Sequence, residues 1–468
     1  ASRNDRIHPS TSEINSALTN VQSNSGSSAS EGLRSYIGRM NYSAYDKYLL
    51  EFSFRVDGSS KFIKGHQYGF FPTVAVGWRF TEEEFLKKYL SSWLSSGKLR
   101  ASWGKLGDNS GVGRFEQLET LTAMNYMSSD VVKGFVNKKM INKDLSWEVS
   151  TDINVGLDLG FLNNRLRTEI DFYNRLRTGM NRPSQMSIHL TGAYSAPRAN
   201  IGDLLNRGLE LNLTWKDKIG NVEYSVNLNG AYNRTVLKEW NEFLSRGWVY
   251  LDMPYHFLYV YENNGIAQTW QDIYNNTPQG LSPGDVIRKD LNGDGIIDGK
   301  DKKAYPNIQR DRPTTTYGIT LQAAWKGFDI SMLFNGGLGR KDFWLTDFNN
   351  TAFADRRYAS TWDHWTEPWS LENRGGEWPR LGTSTDRSDN SYWLYNMNYL
   401  RMKNIMLGYN LPKKLLSKIS MTNLRIYASA ENLFTVTQYP GLDPEKKNSA
   451  RDLYPINRSF SIGLNVSF

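Results

Sequence analysis

The sequence predicts an all-β protein, a transmembrane antiparallel β-barrel of about thirteen strands with long loops on one side. Three observations predict it. Apolar and polar residues alternate with a period of two along many segments, which is typical of strands with one apolar and one polar face. Short turns and long polar loops alternate between these segments without a break. The 468-residue chain has no apolar run of about 18 residues that would predict a membrane-spanning helix.

The clearest strand lies at the end of the chain, where apolar residues from Phe460 to Phe468 alternate with Ser, Gly and Asn. The same alternation is clear over 153–161, where Ile, Val, Leu and Phe face Asn, Asp and Gly. Applied along the chain, it predicts thirteen strands. They lie at about 36–43, 48–56, 72–80, 98–104, 153–161, 165–175, 209–215, 222–233, 317–325, 328–335, 399–409, 424–430 and 459–468.

The connections fall into two kinds, as expected of a barrel that crosses a membrane. Two of the connections on the short side, TEEEFLKKYLSSWLSSG and LPKKLLSKISMTN, are each expected to contain a helical turn. A β-sandwich would not sort its loops in this way, and a solenoid or propeller would need a fixed repeat that is absent. The other short links are 44–47, 162–164, 216–220 and 326–327, and the long loops are 57–71, 105–150, 177–206, 235–313, 338–396 and 433–456.

Composition excludes several classes of protein. The chain is 13% aromatic, which is too high for a disordered chain. The absence of cysteine excludes a disulfide scaffold, a zinc–cysteine site and a thiol nucleophile. The first residues, ASRNDRIHPS, lack the apolar segment of a signal peptide. A net charge of +8 that forms no basic stripe gives no support to nucleic-acid binding.

An odd number of strands cannot close a bacterial single-chain barrel of the usual even type. We therefore expect the chain to be the C-terminal part of a larger barrel that starts inside an external loop. Residues 1–34 are the predicted remnant of that loop, rich in Ser, Asn and Gly, and residues 35–468 are the predicted barrel part. The last strand then ends on the periplasmic side.

Several segments of the chain carry a more specific signal: RMNYSAYDKYLLEFSFRVDGSSKF, GFFPTVAVGWRFTEE, GKLRASWGKLGD, STDINVGLDLGFLNNRL, NRGLELNL, YLRMKNIMLGYNLP and NLRIYASAENLFTVTQYPGLDPE. In this order they closely resemble the barrel of the SusC/RagA family of TonB-dependent outer-membrane transporters, from about Ser35 to Phe468. The resemblance implies a 22-stranded barrel closed by an N-terminal plug, so the plug and the first nine strands lie outside this chain.

The resemblance also implies a function. Family members are active importers of large nutrients, commonly glycans and in some members oligopeptides. A SusD-like surface lipoprotein caps the outer side, and TonB supplies energy through the N-terminal region. The implied location is the bacterial outer membrane, with the C-terminus in the periplasm. The expected partners are the SusD-like lipoprotein, TonB, the N-terminal half of the barrel, the glycan or peptide cargo and outer-membrane lipid.

One loop segment, DLNGDGIIDGKD at 290–301, has the spacing of a calcium loop of the EF-hand type. Gly295 lies where the sharp turn needs glycine. Position 12 is Asp in place of Glu, and the Pro-containing flanks do not predict helices, so we expect a free-standing loop. Mg²⁺ is the lesser alternative because it disfavours all-protein cages, and a metal-free turn is the other. The predicted ligands are Asp290, Asn292, Asp294, Ile296 through its carbonyl, Asp298 and Asp301.

Nine of the fifteen tryptophans lie in the two longest loops, 235–313 and 338–396, where Trp and Tyr can stack on sugar rings or contact a partner. Packing of the loops against one another is the alternative for each of them. Trp78, Trp215 and Trp325 lie beside short turns and are expected in the periplasmic aromatic girdle. The residues predicted to contact substrate or partner are Trp248, Tyr250, Trp270, Trp344, Trp362 and Trp378.

The chain shows no catalytic pattern, so we do not expect an enzyme. The five histidines are scattered, and nothing in the sequence sets the separation of Glu367 and Glu372, the carboxylates considered as a glycosidase pair. Charged residues on an inward face, Arg165, Arg167, Glu169 and Asp171, are expected to line the lumen. The alternative functions are an oligopeptide importer of the same family and a secreted, calcium-dependent carbohydrate-binding β protein.

Overall fold

A computed structural model describes residues 29–467, except for 91, 120, 128–130, 138–139, 187–188, 190–195, 243–249, 255–256, 344–366, 377, 381–389, 417–420 and 447–455. Its dominant feature is one antiparallel sheet. In chain order the strands are β1 (Leu33–Ala44), β2 (Tyr48–Ser59), β3 (Tyr68–Trp78), β4 (Leu94–Asp108), β5 (Leu121–Met127), β6 (Val131–Asn137), β7 (Glu148–Phe161), β8 (Leu166–Thr178), β9 (Asn181–Pro183), β10 (Arg198–Asn200), β11 (Asp203–Ile219), β12 (Val222–Glu239), β13 (Phe257–Tyr261), β14 (Asn263–Ile266), β15 (Val286–Arg288), β16 (Lys302–Gln309), β17 (Thr315–Trp325), β18 (Phe328–Leu338), β19 (Lys341–Phe343), β20 (Leu394–Asn396), β21 (Tyr399–Asn410), β22 (Asn423–Thr437) and β23 (Ser459–Ser467).

Thirteen of these strands form the sheet, in the order β1-β2-β3-β4-β7-β8-β11-β12-β17-β18-β21-β22-β23. Each pairs antiparallel with its neighbour along the chain, as in a meander. The thirteen predicted strands are confirmed in number, order and direction. The sheet does not close in the described residues, because β1 and β23 each pair with one neighbour only.

Most of the strands are longer than predicted. β4 covers Leu94–Asp108 where the alternation predicts 98–104, and β22 covers Asn423–Thr437 where it predicts 424–430. In β22 the alternation is broken by a register irregularity beside Asn432, whose φ is +52°, and in β4 the added residues include Ser95, Ser96, Gly107 and Asp108. Hydrogen-bonded pairing continues there although the apolar alternation has stopped, and the alternation was the signal used to find strands.

The two faces of the sheet differ in chemistry. One face is apolar and exposed in this chain, with Phe172, Leu209 and Tyr232 about half exposed. The register places these three side by side, since Leu209 is opposite both Phe172 and Tyr232. The other face carries Asn, Asp, Glu and Arg. An exposed apolar face of this extent needs an apolar surrounding.

The short connections contain the predicted helical turns. Helix α1 (Glu84–Leu90) precedes β4, and helix α3 (Lys413–Leu416) precedes β22. Helix α2 (Trp270–Tyr274) lies in the long loop between β12 and β17. In the part of the chain that the structure describes, no helix is long and apolar enough to cross a membrane.

The long loops are not structureless. They contain five two-stranded sheets, which pair β5 with β6, β9 with β10, β13 with β16, β14 with β15 and β19 with β20. Their residues do not alternate over enough length to be found from sequence. Strand β1 begins at Leu33, and residues 1–28 lie outside the described residues, so the division into 1–34 and 35–468 stays a prediction.

Candidate functional site on the polar face and in the long loops

The polar face of the sheet carries hydrogen-bonded asparagine side chains across β11 and β12. Asn227 Nδ2 donates to Asn212 Oδ1 at 2.6 Å. Nearer the long loops, Asn233 Nδ2 donates to Asn206 Oδ1 at 2.9 Å and to the Tyr173 hydroxyl at 2.6 Å. Each side-chain amide can both donate and accept hydrogen bonds. This row of side chains can therefore replace its present partners by water, hydroxyl groups or peptide groups.

An ion cluster joins three strands lower on the same face. Arg100 on β4 donates to both oxygens of Asp158 on β7 at 3.0 and 2.9 Å through Nε, and to Asp171 on β8 at 3.0 and 2.9 Å through Nη1 and Nη2. Gly156 lies directly opposite Arg100 in the register. A Cβ at Gly156 would lie 2.7 Å from Arg100 Cζ and 2.5 Å from Asp171 Oδ1. Glycine therefore leaves the space that the guanidinium occupies.

Further ion pairs and hydrogen bonds continue along the polar face. Three of the four charged residues predicted to line the lumen take part: Asp171 binds Arg100, Glu169 accepts from Asn212 at 3.2 Å, and Arg165 lies 3.3 Å from Asp217. The other pairs on this face are Arg175 with Asp152, Arg177 with Glu148 and Asp108, and Arg425 with Asp329.

The long loops pack into an assembly with its own apolar core. Its buried residues are Leu258, Val260, Phe343 and Trp393. Trp378 packs against this core, with its ring stacked on Trp393 at a centroid distance of 6.2 Å. The core joins three segments that are distant in sequence, so the loops have a defined shape.

The predicted contact residues have different surroundings. Trp270, the first residue of α2, is 56% exposed, and Tyr250 is 44% exposed with its ring edge against Phe257 and Tyr259. Trp378 is held in the loop core. Trp248, Trp344 and Trp362 lie outside the described residues.

A buried cluster of charges ties the loop assembly to the end of the sheet. Arg340 is 1% exposed, and its guanidinium donates to the carbonyl oxygens of Arg310, Pro444, Glu445 and Lys446 at 2.9 to 3.2 Å. Burial lowers its pKa from the usual range. Beside it, Arg401 donates to Asp443 at 2.7 Å and also binds Glu445.

Neither arginine was predicted to be important. Their contacts join residues about 30 to 105 positions apart, and no local pattern reports a contact of that kind. The motif YPGLDPE contains Asp443 and Glu445, but it gave no indication of their partners.

The segment 290–301 forms a tight loop closed by its own carboxylates. Asp290 accepts from the N–H groups of Gly293 and Gly295 at 2.6 and 2.9 Å, and Asp301, fully buried, accepts from Leu291 N at 2.9 Å. The backbone N–H of Asp298, followed by those of Leu291 and Asn292 and a side-chain contact with Asp290, lowers the pKa of the Asp301 carboxyl. The φ of Gly295 is +79°, in the region that favours glycine.

The predicted ligands in the 290–301 loop are only partly arranged as a cation site would require. The Asp290 and Asp301 side chains are close enough to interact, as two ligands of one ion would be. Asp298 instead accepts from Lys300 N at 2.7 Å, and Asp294 accepts from Ile296 N at 2.9 Å. No group of three or more His, Asp or Glu side chains within the described ranges is spaced to hold a metal ion. The calcium site stays a prediction.

The sheet and its loops define a class of protein: part of a membrane β-barrel with a polar inner wall and large loops at one end. The sequence model of the family described as "TonB dependent receptor-like, beta-barrel" matches residues 3–278. The chain belongs to this family. Since these are outer-membrane proteins, the apolar face of the sheet lies against lipid and the polar face against the lumen.

Two curated relatives are similar over most of the chain. TonB-dependent receptor P3 of Formosa agariphila is 30% identical over 93% of this chain and 45% of its own length. TonB-dependent receptor SusC of Bacteroides thetaiotaomicron is 30% identical over 93% of this chain and 44% of its own length. The chain thus spans about half the length of the curated relatives it matches.

A solved structure, described as that of the RagAB peptide transporter, has the same fold over 94% of this chain and 47% of its own, with a TM-score of 0.76 and 25% identity. The predicted resemblance to the SusC/RagA family is confirmed by these matches. The membership speaks against the secreted β-protein alternatives, because its members are integral outer-membrane barrels.

Proposed function

We propose that the protein to which this chain belongs is an active outer-membrane importer of large nutrients, and that this chain forms about half of its wall. The observation that carries the proposal is the polar face, with its asparagine row and its Arg100 cluster, set against a lipid-facing apolar face. Such a wall lines a wet passage wide enough for a plug and a cargo, as in large outer-membrane barrels.

Glycans are the cargo we favour. The asparagine amides can bind sugar hydroxyls on both their donor and acceptor sides. Trp270 and Tyr274, 56% and 77% exposed on the same short helix, offer flat faces for sugar rings. Oligopeptides are the second candidate, and the likeness to the RagAB peptide transporter favours them.

The partners follow from the same resemblance. A SusD-like lipoprotein would cover the long-loop side, and TonB would act through the N-terminal region that lies outside this chain. The N-terminal half of the barrel would pair with the open edges of the sheet. In this orientation the long loops are outside the cell and the C-terminus is periplasmic. The relatives bear receptor names, and we propose that this chain likewise does no covalent chemistry.

Uptake experiments test the transport proposal. A strain that lacks TonB, and one that lacks the adjacent SusD-like protein, should both fail to grow on the cargo while growing normally on a small sugar. Growth on purified oligosaccharides and on oligopeptides, each supplied as the sole carbon source, distinguishes the two cargo classes. Normal growth of either deletion strain on the cargo would refute active import.

The exposed aromatics allow a sharper test in the full transporter. Trp270→Ala with Tyr274→Ala should weaken binding of a glycan cargo about thirtyfold, because each of the two stacked rings contributes on the order of 1 kcal/mol. Tyr45→Ala is the matched control, since Tyr45 is 87% exposed in the short turn between β1 and β2, at the other end of the barrel. If both variants bind the glycan equally well, Trp270 and Tyr274 are not part of the cargo site.

We also propose that the 290–301 loop binds Ca²⁺ and stiffens the long loop between β12 and β17. The interaction between the Asp290 and Asp301 side chains and the ligand spacing support it. Mg²⁺ remains the lesser alternative. The ion would bring Asp294 and Asp298 inward from the backbone contacts they make in this structure.

Metal removal tests this site in the full protein. Chelator should lower the midpoint of thermal unfolding and speed proteolysis of the loop, and added Ca²⁺ should restore both more effectively than Mg²⁺. Asp301→Asn should abolish the response, while Glu372→Gln, an exposed loop carboxylate, should leave it unchanged. Metal analysis without a divalent ion, together with no response to chelator, would show that the loop is a metal-free turn.

A further inference from the structure

A groove on the lipid-facing side of the sheet combines cations with apolar residues. It lies at the long-loop end of β11 and β12, has a volume of about 420 Å³, and is lined by Arg207, Arg234 and Lys238 above Leu209 and Tyr232. The register places Arg207 opposite Arg234 and Leu209 opposite Tyr232, so all four point from the same face. This is the apolar face, where a charged side chain is costly unless it has a partner.

The cations are incompletely paired. Arg234 has no hydrogen-bond or ion-pair partner among the described residues, and its Nε is shielded from solvent. Arg207 has one contact, from its Nε to Asn174 Oδ1 at 2.7 Å, and that partner is neutral. Lys238 pairs with Asp252. Three cations and one carboxylate leave the groove with a net charge of about +2.

The height of the cations matches a lipid headgroup. Trp215 donates to the Tyr224 hydroxyl at 3.1 Å near the short turn, and Tyr232 lies at the other end, in one row with Leu209 and Phe172. A strand rises about 3.3 Å per residue and tilts by about 40°, so Tyr224 and Tyr232 are separated by about 20 Å along the membrane normal. This is close to the roughly 25 Å apolar band between two aromatic girdles. Arg234 therefore lies just beyond the band.

The groove also has room for an acyl chain below the cations. Leu209 and Phe172, 48% and 51% exposed, form its lower part on the lipid side. Its upper border is the segment 250–254, which is fixed to β12 because Asp252 N donates to Leu237 O at 2.7 Å and Leu237 N to Met253 O at 3.1 Å. The charged end and the apolar end are thus oriented as in a membrane lipid.

We propose that this groove binds one phosphorylated lipid of the outer leaflet, with its phosphate between Arg207 and Arg234 and an acyl chain along Leu209 and Phe172. Guanidinium groups match phosphate oxygens in geometry and charge. A free phosphate ion would use the two arginines but not the apolar part. The proposal rests on the outer-membrane placement and the outward long loops, and is independent of the cargo.

The experiment uses the full-length protein, extracted from its membrane and exchanged into a neutral detergent. Native mass spectrometry should find about one phosphorylated lipid per protein. The variant Arg207→Gln/Arg234→Gln/Lys238→Gln should lose at least about tenfold in lipid affinity, since each charge-assisted hydrogen bond contributes over 1 kcal/mol. The matched control Arg165→Gln/Lys216→Gln/Lys218→Gln removes three cations at the short-turn end and should retain the lipid.

Two further arms do not depend on whether the variant folds. The wild-type protein should bind the phosphorylated lipid and not its dephosphorylated form, and inorganic phosphate should not displace it. Equal binding of both lipid forms, or equal loss in the two triple variants, would overturn the proposal. Displacement by inorganic phosphate would show an anion site without lipid specificity, and would also overturn it. A negative result leaves import unaffected, because no cargo is involved.

Discussion

At the scale of single residues, the polar face depends on a few arginines that bind across strands. Arg100 satisfies two carboxylates from neighbouring strands, and Arg340 satisfies four backbone carbonyls that join separate loops. Unpaired charges and buried carbonyls are costly, whereas paired ones define a single arrangement. The charges of the polar face are therefore partly structural, and only the remaining hydrogen-bonding capacity is free for the proposed cargo.

The Arg100 cluster gives a prediction about stability. Arg100→Met in the full protein should reduce the free energy of unfolding by about 2 to 3 kcal/mol, because Asp158 and Asp171 lose their shared partner and repel each other. Urea unfolding in detergent measures the change. Arg39→Met, which removes an arginine paired with Glu51 on the first two strands, should cost less than about 1 kcal/mol because both side chains are exposed.

A triple variant checks the cause. Arg100→Met combined with Asp158→Asn and Asp171→Asn removes the repulsion and should recover most of the lost stability. If the triple variant is less stable than Arg100→Met alone, the arginine acts through packing and not through its two charge partners.

At the scale of elements, each long strand crosses several environments. β12 runs from the short turn at Val222 through the apolar band to Lys238 and Glu239, where polar residues face outward as well as inward. The loops that follow are ordered by short helices and caps. Helix α2 begins with a capping box in which Thr269 accepts from Asp272 N and the Asp272 carboxylate accepts from Thr269 N.

This cap predicts a dependence on pH. The backbone N–H of Thr269, followed by the hydroxyl of Thr269 and the N–H of Gln268, lowers the pKa of the Asp272 carboxyl. A carboxyl with a lowered pKa stabilises the folded loop fully above its unfolded pKa of about 3.9, and this stabilisation is lost as the pH falls through the lowered value. Hydrogen exchange in residues 264–276 should therefore show a loss of protection at acid pH.

Asp272→Asn is the check on this prediction. Its amide can still accept a hydrogen bond but has no charge to lose, so protection should be lower at neutral pH and change less on acidification. An acid response equal to that of the wild-type protein would assign the effect to another group.

At the scale of the whole molecule, the main property is the open sheet. β1 and β23 each present an unpaired edge in the described residues, and open edges with apolar faces lead to aggregation. In a complete barrel these edges are paired with other strands, which agrees with a chain that spans less than half of its curated relatives.

The edges predict how the chain behaves when produced alone. Residues 1–468 by themselves should not give the heat-modifiable migration on a detergent gel that a closed barrel shows, whereas the full-length protein should. Co-expression with the N-terminal half of the barrel should restore it. Heat-modifiable, monomeric migration of the isolated chain would mean that the sheet closes on itself.

The sequence by itself determined the number, order and direction of the thirteen strands. Each strand of such a barrel has one face against lipid and one against water, so apolar and polar residues alternate along it, and this alternation can be read from each segment alone. It also determined the family, because the motifs extend over nearly the whole chain. The strand at 153–161 could be predicted without tertiary information, since the polarity of each residue indicates which face of the sheet it lies on.

Only the tertiary structure decided which residues act together. The Arg340 contacts, the stacking of Trp378 on Trp393, and the cationic groove of Arg207 and Arg234 join residues from separate strands and loops. Arg207 in particular lies at a position where the alternation predicts an apolar residue, and nothing in the sequence around it indicates that Arg234 lies opposite. The physical reason is that pairing register brings such residues together, and register depends on the whole sheet and not on either strand alone.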